Sequence, residues 1–513
     1  MDAENGIGKE SRTAMCGPAQ VDEVEVVVSD FHISEGAAAA HGQDNRWHHR
    51  AWRAVKRFVF HYTSHPAVDP RNPLEDFPDD SVFVAFLNRI TVEYGDAPIL
   101  RLRLLGDTFD TLAVRMNGEI EVSPYEDDAV TKMLRIISGH RDFFRVLGGF
   151  LKRSNARLDI FVGNHDLILA WPKVQETVVA AVCGGDEEAV GRLRFIDQHA
   201  NFEDFHRGVL YTHGMGAEGQ NAIDPKTVII DHRFGIRLER PLLNIPIGTY
   251  VAAKLAYRIK QHNPLICRLS NYRSIVRNAP IHRWGWTIYT VAMFFWTYIH
   301  YSLFAIWDIR RKFNWRAYVK SIGQAVTNDT VDRYGRRLLK KRRVRAVVLG
   351  HSHEWRRESG PSGTYINTGT WSLKFSLVDN RFDLKWRRFR WIELIWSTIK
   401  LFLTTGEFRF ARQFVKLLGW LALALSLFAF LFVSVPKGGW VIWSYHFTDV
   451  KVPAAIVLAF IVVSGLLRLC YVKPRVVQSR KLTFALVQHR EDESLSADLM
   501  EYVPESDSFR ECV

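Results

Sequence analysis

Five short blocks spread over more than 320 residues bring together hard oxygen donors and imidazoles: Asp30-Phe31-His32, Gly106-Asp107-Thr108-Phe109-Asp110, Gly163-Asn164-His165-Asp166, His213-Gly214 and Gly350-His351-Ser352-His353. Carboxylate oxygens with neutral imidazole nitrogens suit Mn, Fe or Zn, and a set of this size could hold two such ions. Two divalent ions roughly 3.5 to 4 Å apart need a carboxylate that can bridge them, and a water they share loses a proton near neutral pH, which makes it a nucleophile for phosphorus. Taken singly each block is weak, because a lone Gly-Asp or Gly-His pair is more often a turn than a ligand. Their order and their setting change that.

Each block follows an apolar run that reads as a buried strand: Val24 to Val28, Ile99 to Leu105, Leu158 to Val162, Val209 to Tyr211 and Val344 to Leu349. The blocks therefore converge at strand ends, the edge of an open α/β sheet where ligands bind. The second run carries Arg101 and Arg103, which predicts that one of its faces is exposed.

With DxH, GDxxD, GNHD, a lone His-Gly and GHxH in that order, the chain resembles the calcineurin-like metallophosphoesterases over residues 23–390. The resemblance implies that Asp30, His32 and His353 hold one metal, that Asn164, His213 and His351 hold the second, and that Asp107 bridges them. His165 matches the histidine that faces the phosphoryl group, to stabilise the transition state or protonate the leaving oxygen. Asp166 is expected to orient His165 from behind, and Asp110 to support the loop that carries Asp107. The implied fold is a four-layer α/β/β/α metallophosphoesterase sandwich. Protein phosphatases of the Ser/Thr type carry Gly-Asp-x-Val-Asp-Arg-Gly and Gly-Asn-His-Glu, whereas here Thr111-Leu112 follow Asp110 and Asp166 follows His165. The large segment before Gly-His-x-His and the Tyr365 to Trp371 strand are similar to the UDP-2,3-diacylglucosamine pyrophosphatase group, which commonly has Arg in place of His165.

A chain of 513 residues holds a catalytic domain and something more. Five cysteines, Cys16, Cys183, Cys267, Cys470 and Cys512, lie far apart without a C-x-x-C pair, which points to a reducing compartment and no cysteine metal site. Residues 1–22 are polar, lack the order of a signal peptide, and read as a flexible tail. Residues 224–340 form a helical insertion or lid much longer than a strand connection requires, with Arg237, Arg240, Arg258, Arg273 and Arg277 as candidate phosphate clamps. Within it, residues 284–307 are apolar and aromatic, fitting a lid or an interfacial hairpin, with a dry helical core as the plain alternative.

Leu417 to Val435 runs 19 residues without a charge and Val452 to Leu467 runs 16, which approaches the length needed to cross about 30 Å of hydrocarbon. Residues 414–472 are thus expected to form a transmembrane helical hairpin, preceded by an interfacial amphipathic segment over 391–413. Cations outside both spans place the catalytic domain on the cytoplasmic side, with 473–513 as a cytoplasmic, largely disordered tail. The net charge of +13 agrees with nucleic acid, anionic lipid or phosphorylated metabolites alike. The expected function is a membrane-anchored dinuclear-metal phosphohydrolase (Mn, Fe or Zn) cleaving a phosphate ester or pyrophosphate that is lipid-linked or nucleotide-linked. Membrane lipids are its expected second partner and nucleic acid a less favoured one. Two alternatives stand beside it: a metal-dependent nuclease, and a non-catalytic membrane scaffold that binds a phosphorylated ligand.

Overall fold

Strand β1 (Val21–Val28) sends alternate residues to opposite faces, and each face meets a different partner. Val24, Val26 and Val28 pack with helices, while Val27 packs against a second sheet. The computed structural model describes residues 20–36, 68, 72–233, 236–262, 264, 268, 329–378 and 475–512.

Two mixed sheets organise these residues. Their further strands are β2 (Ile99–Leu104), β3 (Ala156–Phe161), β4 (Leu193–Ile196), β5 (Glu203–His206), β6 (Val209–Thr212), β7 (Ala346–Leu349), β8 (Trp355–Gly360), β9 (Gly363–Thr368), β10 (Leu482–Arg490), β11 (Leu495–Val503) and β12 (Ser508–Glu511). The first sheet has the order β12-β11-β10-β1-β2-β3-β4 and the second β8-β9-β7-β6-β5. Strands β1 to β4 are parallel, as are β6, β7 and β9. All five strands expected before the five blocks are present.

Helices α1 (Asp80–Tyr94), α2 (Glu126–Gly139), α3 (Arg141–Leu151) and α4 (Pro172–Cys183) cover the outer face of the first sheet. In α1, Asp79 caps the N-terminus by accepting from Ser81 N–H, and Phe83, Phe86, Leu87 and Ile90 form the buried stripe at spacings of three and four. A second core lies between the sheets, and a third joins Leu210, Val347, Leu349 and Tyr365 to helix α5 (Asp329–Arg342). The fold is mixed α/β, with parallel and antiparallel pairing in both sheets.

Three expectations are corrected. First, the face of β2 that carries the arginines is not exposed. Arg103 is wholly buried between the sheets, where it bonds Asp159 at 2.8 Å and Asp204 at 2.6 Å, pairs with Glu25, and lies 4.0 Å over the Tyr211 ring. A buried guanidinium is tolerable there because its Nε and Nη1 meet carboxylates and its plane meets a ring, with Nη2 left without a hydrogen-bond partner among the described residues. Second, the expected transmembrane helices are not found: among the described residues no helix is long and apolar enough to cross a membrane. The predicted hairpin over residues 414–472, the interfacial segment over 391–413 and the apolar stretch 284–307 lie outside the described residues. Third, the expected disordered tail is strand. Leu482, Phe484 and Leu486 of β10 pack toward the helices and Ala485 and Val487 toward the second sheet, so the strand is covered on both faces. Its acidic neighbours have cation partners: Asp498 bonds Arg357 at 2.5 Å and Glu501 bonds Arg510 at 3.0 Å. The antiparallel pair Phe375–Val378 with Arg475–Gln478 brings the two ends of segment 379–474 side by side. The domain therefore does not end at residue 390.

A buried ion cluster fixes the loop after β1. Glu75 accepts from Ser34 and Gly36 N–H and from His140 Nε2, and His140 Nδ1 lies 2.6 Å from Asp80. Burial disfavours the charged His140 ring, but Glu75 and Asp80 outweigh it and raise its pKa to about 9. A raised folded-state pKa stabilises fully below the unfolded value near 6.5 and ceases to do so as pH rises through about 9.

This architecture makes two outcomes testable. Removal of residues 482–513 strips β1 of its neighbour and exposes two cores, so the truncated chain is expected to lose cooperative unfolding and protease resistance. Urea titrations of the full chain should show stability falling between pH 6.5 and 9 by on the order of 3 kcal/mol from this group, a slope that His140→Gln removes.

Candidate metal centre

Register brings the five blocks together. Val28 pairs with Leu104, and Leu104 with Ile160, so the chain beyond each strand emerges at one edge. The pairing continues past the strands: Asp30 N–H donates to Gly106 O at 3.2 Å and His32 N–H to Asp107 O at 3.0 Å. In the second sheet Val348 pairs with Tyr211, which sets His213 beside Gly350, whose N–H donates to His213 O at 3.1 Å.

The backbone is bent to aim these side chains. Asp30 (φ 55°), His32 (φ 54°), Asp107 (φ 48°), His351 (φ 73°) and His353 (φ 58°) are all left-handed. Five of the seven expected ligands thus adopt a conformation that costs a non-glycine residue about 1 to 3 kcal/mol, a burden that clusters at functional sites. Phe31 anchors two of them, since its buried ring packs edge-on to Phe77 and Phe83 at 5.4 and 5.3 Å and against Trp371 at 5.2 Å. Gly350 is required by close approach: a Cβ there would sit 2.6 Å from Asp30 Oδ2.

Two groups share one carboxylate. Asp30, His32, Asp107 and His353 have ligand atoms within 4.8 Å of one another, and so do Asp107, His213 and His351. His32 Nε2 faces His353 Nε2 at 3.0 Å, and His213 Nε2 faces His351 Nδ1 at 3.2 Å. Asp107 Oδ1 accepts from His165 N–H at 2.8 Å, while its Oδ2 lies 3.9 Å from His32 Nε2 and 3.3 Å from His213 Nε2. That oxygen lies between the two imidazole pairs, where a bridging ligand belongs. His213 Nδ1 donates to Leu105 O at 2.9 Å, which turns Nε2 inward as the ligand atom. Asp30 Oδ2 accepts from Ser29 and from His351 N–H, yet among the described residues Asp30 Oδ1 is buried without a hydrogen-bond partner, as is Asn164 Oδ1. Another group, Glu25, His206 and His489, has similar spacing, but Arg103 beside Glu25 already supplies its countercharge.

No family model, curated protein or solved structure matches this chain. The reading of the site therefore rests on its geometry and its charge.

Burial opposes ionisation of Asp107, but His213 and His165 hold its carboxyl well below the usual range. Burial would likewise raise Asp30, yet the His353 ring, whose Nε2 lies 3.3 Å from Oδ1, and the charge of His213 bring it down to about 2. The same carboxylates drive protons onto the rings against the effect of burial, His213 to about 10 and His165 to about 9. Such a cluster binds cations, whether protons or metal ions.

The structure exchanges two expected roles. Asp166 does not orient His165; its Oδ1 accepts from Gly163 N–H at 2.6 Å and its Oδ2 from Thr108 N–H at 2.8 Å, so it braces the Asp107 loop. Burial and the Asp107 charge raise its pKa to about 7. Asp110 is the group at His165, with Oδ1 3.2 Å from Nδ1, and its Oδ2 lies 3.7 Å from His32 Nδ1. Of the expected phosphate clamps, Arg237 and Arg240 are exposed, Arg240 stacking 4.2 Å over Tyr125; Arg258, Arg273 and Arg277 lie outside the described side chains.

Two contributors escape sequence reasoning. Tyr257 donates to Asp110 Oδ2, and Glu218 Oε2 lies 3.4 Å from His351 Nε2. Neither sits in a motif; Glu218 comes five residues after His213, which was the available hint. A carboxylate behind a ligating histidine fixes its ring and raises its basicity. Glu218→Gln is expected to weaken Mn binding about 10- to 100-fold by calorimetric titration, while Glu203→Gln, which breaks an exposed pair with Arg342, should leave it unchanged.

Proposed function

We propose that the chain is a dinuclear-metal phosphohydrolase of the calcineurin-like metallophosphoesterase kind, acting on a phosphate ester or pyrophosphate, nucleotide-linked substrates included. The observation that carries the proposal is Asp107 Oδ2 between two pairs of converging imidazole nitrogens. Two helix-covered sheets packed face to face support the finer fold reading, a four-layer α/β/β/α metallophosphoesterase sandwich.

The donor set fits two divalent ions of the Mn, Fe or Zn type. Asp30, His32 and His353 would hold one, Asn164, His213 and His351 the other, and Asp107 both. Two buried oxygens favour this, Asn164 Oδ1 and Asp30 Oδ1, which among the described residues make no hydrogen bond, Asp30 Oδ1 having only the His353 ring 3.3 Å away; a buried acceptor left unmade costs about 1 to 3 kcal/mol. Bound there, the ions would polarise the phosphoryl oxygens and activate water. His165 contributes a ring held by Asp110 at Nδ1, which leaves Nε2 as the atom that exchanges a proton with the substrate. Thr111 fixes the same residue from its backbone, its hydroxyl donating to His165 O at 2.6 Å.

Purified full chain supplied with Mn, and separately with Zn, Fe or Co, should hydrolyse an aryl phosphate ester, a phosphodiester or a nucleotide pyrophosphate. Asp107→Asn should lower kcat/KM by more than the roughly 100-fold expected for loss of an outer partner, and should reduce bound metal in the same sample. Absence of turnover on all of these with every metal would sink the proposal, and cleavage of DNA alone would redirect it to a nuclease.

A further inference from the structure

The helical stretch 247–262 comes from the long insertion, yet it reaches His165. It runs as Ile247–Val251 in α form, Ala252–Ala256 in π form and Tyr257–His262 in α form again. A π turn inside an α-helix rotates the next turn about the axis and recurs at functional sites. Here the residue after the π turn is Tyr257, buried at 5% exposure, with its hydroxyl 3.0 Å from His165 Nδ1 and donating to Asp110 Oδ2. The hydroxyl hydrogen goes to the carboxylate, so the hydroxyl oxygen accepts from His165 Nδ1–H alongside Asp110 Oδ1. The stretch is latched at both ends: Thr249 donates to Asn164 O at 3.1 Å, and Lys260 bonds Leu74 O at 3.0 Å and Asp76 at 2.5 Å.

We propose that Tyr257 is a positioning residue for His165, so that the insertion builds part of the proton-transfer apparatus and does not merely wall the site. The inference rests on the phosphohydrolase reading above. With Nδ1–H shared between two oxygens, the ring is held in one orientation and Nε2 carries the transferable proton. In the step served, the bond from phosphorus to the leaving oxygen breaks and its electron pair stays on that oxygen, which takes the Nε2 proton. Water supplies the hydroxyl that joins phosphorus and the proton that restores Nε2.

The test compares the full chain with Tyr257→Phe at equal Mn content, using a series of aryl and alkyl phosphate esters that differ in leaving-group basicity. A misplaced proton donor is expected to lower kcat about tenfold on the alkyl ester, part of the 10²- to 10⁴-fold that such a donor contributes. The loss should shrink toward none on nitrophenyl phosphate, with KM unchanged. In a His165→Ala background the same substitution should change kcat by less than about twofold, because coupled residues are not additive. Equal losses across leaving groups, a change in KM alone, or full additivity would overturn the inference. Isotope-labelled histidine NMR of the wild-type chain decides it independently of turnover: the His165 proton should reside on Nδ1 and exchange slowly, and a ring protonated at Nε2 alone refutes it. Absence of wild-type turnover counts against the phosphohydrolase reading, whereas turnover with a leaving-group-independent loss counts against Tyr257 only.

Discussion

Asp30, Asp107 and Asp110 are wholly buried in one small volume, and the surrounding structure is arranged to make that tolerable. Each ion removed from water carries a penalty of several kcal/mol, and like charges nearby add to it. The fold answers with donors and with rings that accept protons. Backbone N–H groups of His165 and His351 reach Asp107 and Asp30, the Ser29 hydroxyl reaches Asp30, and the Tyr257 hydroxyl reaches Asp110. What this leaves unmet is one oxygen of Asp30 and one of Asn164, with four imidazole nitrogens converging in pairs. A site whose buried carboxylates draw protons onto the rings that face them is one that could hold metal cations instead.

Holding that arrangement requires the strained strand ends to be over-determined by their surroundings. The apolar layer beneath does this through Phe31 and Trp371, and the C-terminal strands complete it. Trp371 Nε1 donates to Thr483 O at 2.9 Å, and the Thr483 hydroxyl donates to Thr368 O at 2.5 Å. Thr370 in turn donates to Asp30 O at 2.7 Å. A continuous path of contacts therefore leads from β10, more than 450 residues along the chain from Asp30, back to Asp30 itself.

The parts of this molecule that were legible in its sequence are those set by local pattern. Val-rich runs ending in Asp, Asn or His marked the strand ends, and the parallel order put the blocks at one edge. What the pattern hid was pairing between distant segments. Arg101 and Arg103 read as an exposed face because nothing local announces that Glu25, Asp159 and Asp204 will meet them. The Ser, Glu and Asp content of the tail masked the alternation of Ala497 and Leu499, which are buried by a sheet assembled from the other end of the chain. Asp110 and Asp166 could not be assigned their roles from spacing, since each serves the other's block, 55 and 58 residues away along the chain.

The same pairing changes what the basic excess means. Between the sheets Arg101, Arg103 and Arg194 meet Glu23, Glu25, Asp159 and Asp204, and Arg207 meets Asp22. On the second sheet Arg336 and Arg356 meet Glu358 and Asp332, and Arg357 meets Asp498 and Glu511. These cations are committed to holding strands from distant parts of the chain, so they are not the ones that give the chain its basic excess. Under the proposed function, recognition of a phosphorylated substrate would fall to groups at the strand ends, where carboxylates are concentrated and a bound cation would come first. On that reading an anionic substrate would be attracted to this edge through the ions the edge collects, which would make metal occupancy a condition for substrate binding as well as for chemistry.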